Sequence, residues 1–130
     1  MFSLGQFKFV IASSEEDKEK VYRLRYRTYV EEFGFEKPED HPGGLETDEY
    51  DPYSVHFAVF NGSDDIVGTI RLILHSEQGF PVEQVANPSF VGKKPNSRNI
   101  AEISRFAVSD GSRRRRLGGW KLTDRSWVLQ

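Results

Sequence analysis

Cysteine is absent from this 130-residue chain, which excludes a disulfide scaffold, a thiolate metal site and a cysteine nucleophile together. No window approaches 18 consecutive apolar residues, so the sequence offers no membrane-spanning helix. The opening Met1-Phe-Ser-Leu-Gly lacks a basic stretch followed by an apolar core, so no secretory signal is read there. Histidine is scarce. His41, His56 and His75 have no metal-ligand spacing and are read as surface or packing residues. What remains is a chain of 15.0 kDa with 37% hydrophobic and 13% aromatic residues, including ten Phe and five Tyr. That suits one cytoplasmic globular domain over 1–130 with a real core.

Charge is divided unevenly. Residues 1–65 hold 15 acids and 7 bases, net −8, and residues 66–130 hold 5 acids and 11 bases, net +6. The basic half ends in Arg113-Arg114-Arg115-Arg116, inside a basic tail over 109–130. Such a split suits a basic surface for an anionic partner. Nucleic acid is the weaker reading, because the rest of the chain is acidic and the arginine run has no interleaved aromatics before Trp120.

Phe7–Ile11 is short and begins with alternation, which predicts a strand. Ser13-Ser14-Glu15-Glu16-Asp17 predicts a helix start, with hydroxyl caps and carboxylates where the helix dipole favours them. That helix is expected to run to about Phe33 and stop at Gly34. An acidic loop over 36–53 follows, with seven acids and Pro38, Pro42 and Pro52. Val55–Phe60 and Ile66–Leu74 flank the turn residues Asn61-Gly-Ser-Asp-Asp65 and predict a hairpin. After a loop over 81–99, with one helical turn near Val82–Ala86, Ile100–Val108 predicts a fourth strand. The tail beyond Gly119 is read as the beginning of a helix. The order predicts an α/β (α+β) fold around a central, largely antiparallel sheet.

Several polar residues sit where strands and helices should be apolar. Arg25 lies among apolar helix neighbours, Arg71 inside a strand, and Glu102 and Arg105 in the fourth strand. Asp48 and Asp51 stand three apart in the acidic loop. A guanidinium inside a strand must be paired, since an unpaired buried charge costs several kcal/mol. Each residue taken singly reads as part of a structural ion-pair network pinning the loop to Arg25, Arg71 or Arg105. Three arginines and three acids aimed at one sheet from separate elements read as a polar site. Strict alternation places Glu102, Ser104 and Phe106 on one face and Arg105 on the other, unless a bulge intervenes.

The spacing of five segments resembles the acyl-homoserine-lactone autoinducer synthases. The segments are Leu24-Arg25-Tyr-Arg-Thr-Tyr29-Val, Gly34-Phe35, Glu46-Thr-Asp48-Glu-Tyr-Asp51, Val67-Gly-Thr-Ile-Arg71-Leu and Ala101-Glu102-Ile-Ser104-Arg105-Phe106-Ala-Val108. They resemble more closely the N-acyl amino acid synthases and the exosortase-system-associated acyltransferases, all of the GNAT acyltransferase superfamily. The resemblance implies a GNAT-like fold, incomplete at its C-terminus. It implies that Arg25, Tyr29, Phe35, Asp48, Asp51, Arg71, Ser104, Arg105, Phe106 and Val108 bind substrate. Autoinducer synthases carry Phe and Trp where this chain has Tyr29 and Phe35, which favours an amino acid or another amine over S-adenosylmethionine as acceptor. The superfamily's phosphate-binding turn is approximated by Arg115-Arg-Leu-Gly118-Gly119.

As the resemblance implies it, a bulge splays the fourth strand and the acyl thioester lies in the gap, its carbonyl held by a backbone N–H near Phe106 to Val108. Glu102 is the candidate general base for the acceptor amine. No metal and no bound cofactor are expected. The donor is a long-chain acyl thioester of acyl-carrier protein or, less so, of coenzyme A. An acidic carrier protein suits the basic half, so Arg113–Arg116 with Lys93 and Lys94 are either its contact or a solvated charge run. A non-catalytic module that binds an acyl chain or a partner is the competing class. An exposed fourth-strand edge further predicts a homodimer, or coverage of that edge by Trp120–Leu129.

Overall fold

The computed structural model of the chain describes residues 1–85, 96–112, 120–123 and 126–129. Five strands, β1 (Phe2–Leu4), β2 (Phe7–Ile11), β3 (Ser54–Phe60), β4 (Ile66–Ile73) and β5 (Glu102–Val108), form one sheet in the order β1-β2-β3-β4-β5. Every neighbouring pair in it is antiparallel. β6 (Trp120–Thr123) and β7 (Ser126–Leu129) form a separate antiparallel pair. The tail is therefore a hairpin and not the start of a helix, and it does not extend the main sheet along β5. β1 lies outside the sequence expectation, since three residues are too few to show alternation. Gly5, at φ +58°, supplies the turn that folds β1 onto β2.

The helix α1 (Glu15–Tyr26) begins as the cap predicts: the Ser14 side chain accepts from the Asp17 N–H at 3.1 Å, with Glu15, Glu16 and Asp17 in the first turn. Its outer face carries Glu16–Lys20 and Glu19–Arg23 pairs four residues apart, at 2.9 and 2.7 Å. Its inner face buries Val21 and Leu24 against Ala58, Phe60, Ile66 and Ala107 of the sheet. The α-helix does not run unbroken to Phe33. Arg27–Glu32 form a π-helix, in which the Phe33 N–H reaches five residues back to the Thr28 carbonyl at 3.1 Å. The wider turn lets three consecutive residues, Thr28, Tyr29 and Val30, all be buried. Such turns recur at functional sites. Gly34, at φ +64°, then ends the helix as expected.

The β3–β4 hairpin forms as the turn residues predict, with the Asn61 side chain accepting from the Ser63 and Asp65 N–H groups. The helical turn after Phe80 is α2 (Val82–Val85). One face of the sheet is covered. There His56, Ala58 and Phe60 of β3 and Arg71 and Ile73 of β4 are buried under α1 and the acidic loop, where Tyr50 and Phe80 join Ile73 in a second small core. The other face is open, with Phe9, Ile11 and Phe57 36–59% exposed.

Candidate functional site

The acidic loop folds back on itself before it meets the sheet. The Asp51 carboxylate accepts from the Asp48 N–H at 2.8 Å, and the Asp48 carboxylate accepts from the Tyr50 N–H at 3.0 Å. Short acidic side chains favour such local turns. Pro52 opens a 3₁₀ turn, Asp51–Tyr53, that leads directly into β3. The Glu46 N–H is held by the Tyr22 carbonyl of α1 at 3.1 Å, so the loop lies across the helix as well.

These turns present carboxylates to three guanidiniums. Arg25, fully buried on α1, donates from Nε to Glu46 at 2.5 Å and from both terminal nitrogens to Asp51 at 2.7 and 3.1 Å. Arg71 donates to Asp48 at 2.6 Å, to Asp51 at 2.9 Å and to the Ser104 hydroxyl at 3.0 Å. Arg105 donates to Glu46 at 2.9 Å, with longer contacts to Asp48 at 3.3 Å and Glu36 at 3.5 Å. The expected cluster of Asp48, Asp51, Arg71 and Arg105 is therefore present, and Arg25 and Ser104 belong to it. Three guanidiniums meet four carboxylates, which leaves a formal excess of one negative charge.

Burial shapes the titration of this site. Desolvation disfavours the charged form of Asp51, but the charges and hydrogen bonds of Arg25, and then Arg71, outweigh it and hold the carboxyl at about 2. Burial alone would also lower Arg25, which Glu46 and Asp51 more than reverse, so its pKa is raised. His56 is 2% exposed and stands 3.7 Å from Asp51; burial pushes its pKa down, against the opposing pull of Asp51. It packs, as the sequence predicts. Arg71 Nη2 and His56 Nδ1 are buried without a hydrogen-bond partner among the described residues.

Arg105 reaches this cluster only because β5 is bulged. Thr69 pairs with Ala107 and Arg71 with Ser104, which leaves Ile70 opposite two residues, Arg105 and Phe106. Arg105 takes φ +53°, a left-handed conformation that costs about 1–3 kcal/mol in a non-glycine residue. Its contacts to Glu46, Asp48 and Glu36, with the guanidinium 5.5 Å over the Tyr29 ring, offset that strain. The bulge also corrects the facing expected from strict alternation. Phe106 does not share the face of Ser104; it lies with Val108 on the open side of the sheet. There both line an apolar groove of about 520 Å³ with Phe9, Phe57, Val59 and Ile70. The Phe106 carbonyl instead accepts from the Tyr29 hydroxyl at 2.6 Å.

Besides Phe106 and Val108, two further candidate residues stand apart from the cluster. Phe35 stacks on Phe33 at 5.7 Å and packs against the main core. Glu102 accepts from the Val82 N–H at 3.1 Å, and no arginine bridges it among the described residues. Glu46 and Glu36 enter the site without having been singled out. The sequence signals for them are that three buried arginines need more acid than Asp48 and Asp51 supply, and that Glu46 opens the segment Glu46-Thr-Asp48-Glu-Tyr-Asp51. Among the described residues, no three His, Asp or Glu side chains are grouped to hold a metal ion. No helix among them is long and apolar enough to cross a membrane. Lys93, Lys94, Arg113–Arg116 and the turn at Gly118-Gly119 lie outside the described residues.

The stretch that builds this geometry also carries a family signature. A family model for the acetyltransferase (GNAT) domain matches residues 24–119, from the helix arginine past the bulged strand. An acyl-homoserine-lactone synthase of Aeromonas salmonicida is 29% identical over 104 residues, covering 79% of this chain and 48% of that protein. The chain thus spans about half the length of this curated relative. No solved structure matches. Antiparallel sheet, covering helix, bulged β5 and a match across 24–119 agree: the chain belongs to the GNAT acetyltransferase-domain family and is related to the autoinducer synthases.

Proposed function

We propose that residues 1–130 form a single N-acyltransferase unit that moves a long-chain acyl group from a carrier-protein or coenzyme A thioester to the amine of an amino acid or related acceptor. The observation that carries this reading is the bulge of β5, which puts a buried charged cluster on one side of a strand and an apolar groove on the other. An acyl tail suits the groove beside Phe106 and Val108, and a polar, zwitterionic acceptor suits the arginine–carboxylate face. The excess carboxylate charge there favours an ammonium group, while Arg71, Arg105 and Ser104 offer donors to an acceptor carboxylate. Phe35, at the helix exit, would border the acceptor.

In this reading the acceptor nitrogen, once neutral, attacks the thioester carbonyl. The oxyanion that forms is held by backbone amides of Phe106 to Val108, the C–S bond breaks, an amide forms and the thiol leaves with a proton. The nitrogen's proton goes to a carboxylate directly or through one water, and that carboxylate passes it on to the departing sulfur. Asp51, held at about 2 by its arginines, is a poor proton acceptor. Glu102 carries no arginine among the described residues and is the proposed base. Acyl-carrier protein is the proposed donor partner, with Lys93, Lys94 and Arg113–Arg116 as its contact. Among the described residues β5 has one strand neighbour in the sheet, which supports association of two copies along that edge.

A second reading, transfer to S-adenosylmethionine to give an acyl-homoserine lactone, is favoured by the name of the relative. A third, an acyl-binding unit without turnover, is favoured by the apolar groove on the open face, which suits an acyl chain whether or not it is transferred. Incubating the purified chain with long-chain acyl-carrier protein or acyl-coenzyme A, a mixture of amino acids and S-adenosylmethionine, followed by mass spectrometry, separates these readings. An N-acyl amino acid is expected. An acyl-homoserine lactone selects the second reading, thioester binding without product selects the third, and neither binding nor product overturns all three.

A further inference from the structure

Tyr29 is tied at both ends to the elements that make the site. Its hydroxyl donates to the Phe106 carbonyl at 2.6 Å, across 77 residues of sequence. Its own carbonyl, at the π-helical turn, accepts from the Phe35 and Glu36 N–H groups at 2.8 and 3.1 Å. The second of those bonds sets the start of the acidic loop, and Glu36 is one of the carboxylates that Arg105 contacts. The ring lies 5.5 Å below the Arg105 guanidinium and is 1% exposed. One residue therefore fastens the helix exit to both members of the bulge, Arg105 through its ring and Phe106 through its hydroxyl.

A bulge is a choice among backbone states. The extra residue of β5 breaks the ladder between Thr69 and Arg71, and at that break the Tyr29 hydroxyl donates to the Phe106 carbonyl. A phenol fixed by a core-packed ring supplies a donor at one position only. The π-helix is what makes it reach: it lets Tyr29 be buried beside Thr28 and Val30 while its hydroxyl extends to β5. Burial pushes the phenol up to about 12, so it stays protonated, and a donor, through the neutral range.

We propose that Tyr29 is a positioning residue: its hydroxyl locks the β5 bulge in the conformation that sends Arg105 to the charged cluster and Phe106 to the groove, and so sets the backbone around the thioester site. This inference rests on the acyltransferase reading for its catalytic consequence but not for the lock itself. A buried aromatic ring alone would serve packing; the phenolic oxygen has no packing role that phenylalanine lacks.

The test uses Tyr29→Phe in the full 130-residue chain, checked as folded by circular dichroism. Backbone amide NMR of the ligand-free protein should show the largest shifts at Arg105 to Ala107, with amide exchange there at least tenfold faster and α1 amides little changed. In acyl transfer, kcat should fall about tenfold or more while donor KM stays within twofold. A general loss of packing would instead spread the exchange change over α1 and β3. Unchanged amides at 105–107, or a loss spread evenly through the core, overturns the lock. Moved amides with unchanged kcat overturn its positioning role. If the wild-type chain turns over no acyl thioester, the acyltransferase reading fails, and the NMR result still decides the lock by the same criteria.

Discussion

The two faces of the five-stranded sheet solve opposite problems. On the covered face, Arg25, Glu46, Asp51 and Arg71 are 7% exposed or less, and their charges are met by one another. On the open face, Phe9, Ile11 and Phe57 are large apolar side chains at 36–59% exposure around a groove. Burying ions is expensive and leaves little net stabilisation, whereas leaving apolar surface exposed forfeits what burial would give. Neither face is arranged as stability alone would arrange it. In the proposed function each serves a substrate, and they meet at the β5 bulge.

The contrast is broken most strongly from the covered side. Arg71→Met removes the link between Asp48, Asp51 and Ser104 and leaves carboxylates facing each other, which should cost about 3–5 kcal/mol. That is a large part of the stability of a small domain, so urea denaturation should show lost folding or a released acidic loop. Phe57→Ser, on the neighbouring strand but the opposite face, should cost less, about 1–2 kcal/mol, because its ring is already 37% exposed. Equal costs for the two substitutions would remove the distinction between the faces.

Glu102→Gln tests the chemistry proposed between them. It keeps shape and the bond from the Val82 N–H but removes a proton acceptor. Turnover should fall roughly 10²–10⁴-fold with thioester binding retained, and an unchanged rate in a folded variant would take Glu102 out of the mechanism.

Acid titration probes the covered face more gently. Asp51 is held at about 2 in the folded chain, against 3.8 for the ordinary group. A depressed carboxyl contributes stability above its unfolded value, and the contribution is lost as pH falls through the folded one. Stability should therefore drop by on the order of 2 kcal/mol for this group between about pH 4 and pH 2. Asp51→Asn should flatten that part of the profile in urea titrations. An equally steep profile in the variant would assign the acid sensitivity elsewhere.

Much of this architecture is legible in the residues. Ser14 with three following acids marks the start of α1, Asn61–Asp65 marks the hairpin, and Arg71 in a strand announces a buried ion pair. What escapes sequence reading depends on a single residue's backbone. One extra residue in β5 reverses the facing of Phe106 and brings Arg105 inward, and alternation cannot locate such an insertion. The π-helical turn is the same kind of event in a helix. Glu46 is buried by partners 21 and 59 residues away, so local periodicity does not show its burial even though it opens the segment that ends at Asp51. The tail's hairpin arises from residues whose pattern reads as readily as a helix.

In the proposed function the β5 bulge is where donor and acceptor meet. Amide NMR of the chain, titrated with a non-reactive thioether analogue of a long-chain acyl-pantetheine, tests this most directly. The predicted shifts map to Gly68, Ile70 and Phe106 to Val108 and extend along the open face to Phe57 and Phe9, leaving Glu16 to Lys20 on the outer face of α1 unmoved. Saturable binding with shifts confined to α1 or the acidic loop, and none at Phe106 to Val108, would contradict it.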